Sequence, residues 1–166
     1  MSKFDELCHA YSTARTNYMD YRKSCHDFAG DFISGMLDYY GCPREQVTYI
    51  PLSGQIDPKH RYSLADTMQL AEDTYWHFGM GITLCPVEDE GPGETVALAF
   101  AVKKHESIYY IRIGGFEQEF EFHEKSKTEY NKFYDFLFSR IKEDYEKGLQ
   151  KFLDQEHGTR KIGFQG

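Results

Sequence analysis

The chain has 166 residues, a formal charge of −8 and 40% hydrophobic residues, with 13 Tyr, 13 Phe and one Trp. A chain of this size, so rich in large aromatic side chains, can bury a core without disulfides or metals, which excludes a disordered polymer. Residues 42–123 hold thirteen acidic groups against six basic ones. Such a field repels phosphate backbones and anionic lipid surfaces, so neither nucleic acid nor membrane is expected as a partner.

No run approaches the roughly 20 apolar residues that span a bilayer. Met1-Ser2-Lys3-Phe4-Asp5-Glu6 lacks the basic-then-apolar build of a signal peptide. A cytoplasmic location is expected, and the cysteines at 8, 25, 42 and 85 are then free thiols. Cys8-His9 and Cys25-His26 repeat a dipeptide with metal-ligand chemistry. On one helix they would lie about 25 Å apart and could not share an ion, so Cys8 and Cys25 read as small core residues. The seven histidines include no H-E-x-x-H, and neither a metal nor a cofactor is expected.

From Lys3 to about Tyr40 the spacing is helical. Phe4, Leu7, Tyr11, Ala14, Tyr18, Tyr21, Cys25, Phe28 and Phe32 recur at alternating steps of three and four, an a/d stripe. Gly41-Cys42-Pro43 supplies the stop. A helix of this length outreaches one small sheet, so it either bends near Gly30 or lies partly against another helix. Val47–Leu52 reads as a short strand, with Pro51 pointing to a sheet edge. Ser63–Asp73 fits a short helix capped by Ser63 or a strand, and the strand is the preferred assignment.

In the next segment Trp76, Phe78, Met80, Ile82 and Leu84 alternate with His77, Gly79, Gly81 and Thr83. Val96, Leu98, Phe100 and Val102 alternate with Ala97, Ala99 and Ala101, the period of two that marks strands. Ser107–Ile113 and Phe116–His123 complete an antiparallel meander of four to five strands. Its expected turns are at 88–93, at 104–106 and at Gly114-Gly115, the last a two-residue hairpin. A turn centred on Gly91 pairs Gly81 with Ala99 or Ala101. One centred on His105 pairs Ala99 with Ile111 and Ala101 with Tyr109, and the Gly-Gly turn sets Arg112 against Glu117. Opposed residues share a face, so this register puts Tyr109, Ile111, Ile113, Phe116, Phe120 and Phe122 with the Gly/Ala patch and makes both faces apolar. Such a sheet needs cover on both sides: one helix on each, or both helices on one and a second subunit on the other.

The last helix opens with Ser126 and Glu129 at capping-box spacing. Its stripe is Tyr130, Phe133, Tyr134, Leu137, Ile141, Tyr145, Leu149 and Phe152. The expected fold class is α+β: a long N-terminal helix, the meander, and a long C-terminal helix packed on the sheet. The expected organisation is a single domain over 1–154 and a flexible tail over 155–166.

For chemistry, His60 and Arg61 with Asp73 and His77 downstream are residue types of acid–base catalysis, although polar loops of this kind are common where no chemistry occurs. Tyr75, His77, Gly79 and Gly81 flank the smallest side chains of the sheet, where a shallow ligand groove would fit; a closely packed helix is the plainer explanation. There is no G-x-S-x-G elbow, and Gly79-Met80-Gly81 lacks the rest of a dinucleotide fingerprint. The weight falls on a non-enzymatic protein-interaction module: a small acidic adaptor, chaperone-like protein or inhibitor. A basic protein partner fits the charge and a homodimer fits the heptad stripe. In size, charge and α+β make-up the chain resembles small acidic bacterial chaperones of secreted effectors, which implies a protein partner. The alternatives are a small-molecule-binding domain using Tyr75, His77, Gly79 and Gly81, and a small hydrolase or transferase using His60 and His77.

Overall fold

Ser2 starts the first helix. Its hydroxyl accepts the Asp5 amide at 3.1 Å, and its own amide donates to the Asp5 carboxylate at 2.9 Å. Two amides that a first turn leaves unpaired are thereby satisfied. Helix α1 then spans Lys3–Tyr40, continuous through Gly30. It stops where Gly41 adopts the left-handed conformation, φ 64°, which a residue without a Cβ takes at no steric cost. The computed structural model describes residues 1–87 and 91–154. The expected turn at 88–93 therefore lies partly, and the expected tail at 155–166 wholly, outside the described residues.

A 3-10 turn at Arg44–Gln46 leads into β1 (Val47–Ile50). The segment 63–73, expected as a strand, is helix first: α2 (Leu64–Thr67) precedes the two-residue β2 (Gln69–Leu70). Ser63 caps α2 by accepting the Asp66 amide at 3.2 Å, a local bond that outweighs the segment's strand propensity. β3 (Trp76–Leu84), β4 (Glu94–His105), β5 (Ile108–Ile113) and β6 (Glu119–His123) follow, and α3 (Lys127–Asp154) closes the described chain. The strands form one antiparallel sheet in the order β1-β3-β4-β5-β6, with β2 also on β3. The fold is α+β, with a long helix at each end of an antiparallel sheet.

The register differs from the expected one. Glu106, at φ 57°, helps the chain turn so that His105 opposes Ile108. Val102 then opposes Ile111, and Ala101 opposes Arg112 rather than Tyr109. An odd shift in pairing exchanges the faces of a strand. Gly114-Gly115 forms the expected tight turn, the Phe116 amide donating to the Ile113 carbonyl at 3.1 Å, but the strands do not pair directly from it. The Gly114 amide donates to the Ala99 carbonyl at 2.8 Å, prolonging the pairing to β4. β6 begins only at Glu119, so Arg112 meets Glu119 and not Glu117. The match of small residues persists with a slip, Gly79 against Ala99 and Gly81 against Ala97.

Tyr109, Ile111, Ile113, Phe120 and Phe122 consequently share the face of Trp76, Phe78, Met80, Leu98, Phe100 and Val102. The other face carries His77, Gly79, Ala97, Ala99, Arg112, Glu119 and Glu121, so the expectation of two apolar faces is overturned. Both helices cover the bulky face. Cys25, Phe28, Phe32, Met36 and Leu37 of α1 are buried together with Tyr130, Phe133, Tyr134 and Leu137 of α3. Phe28 stacks on Tyr109 at 4.0 Å between ring centres. The helices themselves meet at Gly35, where an added Cβ would lie 2.9 Å from the Tyr134 hydroxyl. That hydroxyl donates to the Phe32 carbonyl at 2.6 Å.

Candidate functional site

The a/d stripe of α1 has two unlike halves. Every residue from 3 to 20 is exposed, and Tyr21 is the first to be half-buried. These 18 residues make an arm of helix about 27 Å long. On it Phe4, Leu7, Tyr11 and Tyr18 are 73, 68, 65 and 46% exposed, whereas Cys25, Phe28 and Phe32 further along the same stripe are 5% or less. Cys8, expected in the core, is exposed on the arm for the same reason: it lies before the point where the sheet begins to cover the helix.

Charge on the arm is sorted about the stripe. At heptad spacing the flanking positions are Lys3, Cys8, Ala10, Arg15, Asn17 and Arg22, with no carboxylate among them, while Asp5, Glu6 and Asp20 fall on the far side. Ser12, Thr13, Thr16 and Asn17 are weak helix formers. A helix of this length without packing is marginal in water. The arm therefore combines an apolar stripe, a basic to neutral border and a need for tertiary support.

The open face of the sheet is built differently. Tyr75 is buried, and its hydroxyl donates to the Glu119 carboxylate. The Arg112 guanidinium lies over its ring at 4.1 Å, with the Lys103 ammonium at 5.6 Å. Arg112 Nε donates to Glu119 at 3.1 Å. His77 Nε2 lies 2.8 Å from the Asp73 carboxylate, which also accepts the Tyr75 amide at 3.0 Å. Asp73 thus holds the His77 ring and the Tyr75 backbone amide, while the Tyr75 side chain points instead to Glu119. Gly79 sits under the chain that leaves β1: an added Cβ would come within 2.8 Å of both the Ile50 carbonyl oxygen and Leu52. At Gly81 it would meet the Thr48 and Thr95 side chains at 2.9 and 3.0 Å.

His60 and Arg61 lie together in a separate depression of about 280 Å³ with Arg44, Thr48, Tyr49 and Tyr62, and His77 is not part of its lining. The His60 ring stands edge-on to Tyr62 at 4.6 Å. A larger groove of about 420 Å³ opens beside α3, lined by Tyr40, Ile82, Val96, Phe138, Ile141 and Tyr145. The sequence marks these residues as apolar but carries no signal that space is left between them. At the inner end of the arm His26 stands edge-on to Trp76 at 5.0 Å. Burial, and secondly the Arg22 cation, hold its pKa below the ordinary histidine value against the opposing pull of Asp27.

All four cysteines are free. Among the described residues, no three His, Cys, Asp or Glu side chains gather into a metal set. No helix of the described residues is long and apolar enough to cross a membrane. The fold and these surfaces define a class by architecture alone: a two-layer α+β protein in which α1 continues beyond the sheet as an exposed arm. No known protein family matches the chain, and neither a curated protein nor a solved structure matches it significantly.

Proposed function

We propose that the chain is a non-enzymatic protein-interaction module whose docking element is the arm of α1. The observation that carries this is the stripe of Phe4, Leu7, Tyr11 and Tyr18 on a stretch of helix whose residues are all exposed. Contiguous apolar surface of this extent marks interaction sites on soluble proteins. Packing against another protein chain would remove that surface from water and supply the support that a marginal helix needs. The acidic segment 42–123 lies beyond the arm and gives a basic partner a second surface to meet. The free cysteines suit a reducing, cytoplasmic setting.

The test uses the intact chain carrying a tag in a native extract of its source cells. The wild type should sediment well above its monomer mass, and the Leu7→Glu/Tyr11→Glu variant should sediment as a folded monomer. A wild type that sediments as a monomer in the extract contradicts the proposal. The groove beside α3 supports a second reading, a small-molecule-binding domain, since its volume falls in the range that small ligands occupy. An Ile141→Trp substitution that fills the groove should then abolish binding of an apolar dye while leaving the melting temperature in place.

A further inference from the structure

We propose that the occupant of the arm is a second copy of the same chain, lying antiparallel, with Tyr11 of each copy seated on the partner's Ala14. This rests on reading the arm as the docking element. Three features of the arm lead to this register.

The first is the order of sizes along the stripe. Ala14 is the only small residue among the a and d positions between Phe4 and Tyr21. A two-fold axis midway between residues 11 and 14 sets Tyr11 against the partner's Ala14, Leu7 against the partner's Tyr18 and Phe4 against the partner's Tyr21. Large residues then face small ones at the centre, and the pairing is self-complementary, as a two-fold interface requires. Parallel pairing in register would put Tyr11 on Tyr11 and Ala14 on Ala14, crowding one layer and emptying the next.

The second is length. In the antiparallel register Phe4 reaches the partner's Tyr21, the first residue of α1 that its own domain begins to cover. The overlap is therefore the whole free segment, neither arm overhanging nor running into a domain. The four large stripe residues leave about 500 Å² of apolar side chain on each arm, at roughly 200 Å² for a full aromatic side chain. A pair of arms thus offers about 1,000 Å², the area that separates specific interfaces from incidental contacts.

The third is charge. Each chain carries −8, and a parallel pair would hold two acidic domains side by side. The antiparallel pair sets them at opposite ends of an arm about 27 Å long, well beyond the screening length of about 8 Å at physiological salt. The stripe's borders bear no carboxylate, and Arg15 falls nearest the partner's Cys8 rather than the partner's Arg15.

The test is sedimentation of the purified full-length protein from low micromolar to several hundred micromolar. A monomer–dimer equilibrium is expected, weakened at least about 100-fold by Ala14→Glu or Tyr11→Glu, because either buries a carboxylate in the seam. Trp76 fluorescence reports that the domain of each variant is intact. In a Cys8→Ser/Cys42→Ser/Cys85→Ser background, which removes the other accessible thiols, Leu7→Cys/Tyr18→Cys should cross-link two chains under mild oxidation. Leu7→Cys alone should not, since the two copies of residue 7 would stand about 16 Å apart along the axis. A protein that stays monomeric throughout, a dimer indifferent to Ala14→Glu, or cross-linking by Leu7→Cys alone would each overturn the proposal. A purified monomer that still forms arm-dependent complexes in extract overturns self-pairing and leaves the interaction module standing.

Discussion

Phe32→Ala and Phe4→Ala remove the same side chain from one stripe of one helix, and the structure requires very different costs. Phe32 is 1% exposed, and its ring lies 5.6 Å from Phe28, 5.0 Å from Phe122, 5.2 Å from Tyr130, 5.3 Å from Phe133 and 5.2 Å from Tyr134. Truncation there loses the transfer free energy of the ring and opens a cavity among groups fixed on two helices and a strand, about 3–5 kcal/mol. With a urea dependence of about 2 kcal/mol per molar, the unfolding midpoint should fall by about 2 M. Phe4 is largely exposed, so its removal from the monomer should change stability by about 0.5 kcal/mol or less, a midpoint shift within about 0.3 M. Trp76 is the only tryptophan and is buried, so its fluorescence reports the domain without added probes. The titrations belong at a protein concentration at which sedimentation shows the chain to be monomeric. A drop of about 1 M or more for Phe4→Ala would show that the arm packs on its own domain and would refute the reasoning.

Two glycine substitutions should act in opposite directions. Gly79→Leu forces side chain into the Ile50 carbonyl and Leu52, and overpacking of about 2 kcal/mol should lower the melting temperature by about 4–8 °C. Gly30→Ala meets nothing within 4 Å and should raise it by about 2–3 °C through a less flexible unfolded chain. Tyr134→Phe removes the hydroxyl that ties α3 to the Phe32 carbonyl and should cost about 1 kcal/mol in urea titration, with the helix content unchanged by circular dichroism. His26 has a pKa held below the ordinary 6.5. The unfolded chain therefore takes up that proton first, and stability should decline as pH falls through 6.5 and below. His26→Gln should remove that part of the decline; an identical pH profile in the variant would show that His26 plays no part in it.

The long helices were legible because their signals are local. The period of apolar residues, Gly41 at the end of α1 and Ser126 with Glu129 at the start of α3 depend on nothing distant. The small-against-small pairing of β3 with β4 was legible too, since glycine and alanine alternate on both strands. The faces of β5 were not. They depend on whether the β4–β5 turn has an odd or even length, and the residue that makes it tight is Glu106 in a left-handed conformation, which no glycine announces. Gly114-Gly115 misled about register only: the turn closes, the Phe116 amide donating to the Ile113 carbonyl at 3.1 Å, but the Gly114 amide stays on the Ala99 carbonyl and pairing resumes only at Glu119.

The arm was half legible. Its excess length and its stripe could be counted, but Phe4, Tyr11 and Tyr18 look no different in sequence from Phe28 and Phe32. Which half is bare depends on where the sheet ends, a matter of tertiary geometry. Of the site candidates, the His77 ring pairs with Asp73 and the Tyr75 hydroxyl with Glu119, whereas His60 and Arg61 occupy a depression of their own.

Hydrogen exchange along α1 at rising protein concentration tests most directly whether a second copy of the chain supports the arm. Amides from 6 to 20 should exchange quickly in dilute protein and slow progressively as concentration rises, while those from 28 to 37 stay slow throughout. Arm amides already slow at the lowest concentration, or fast at every concentration, would contradict the account.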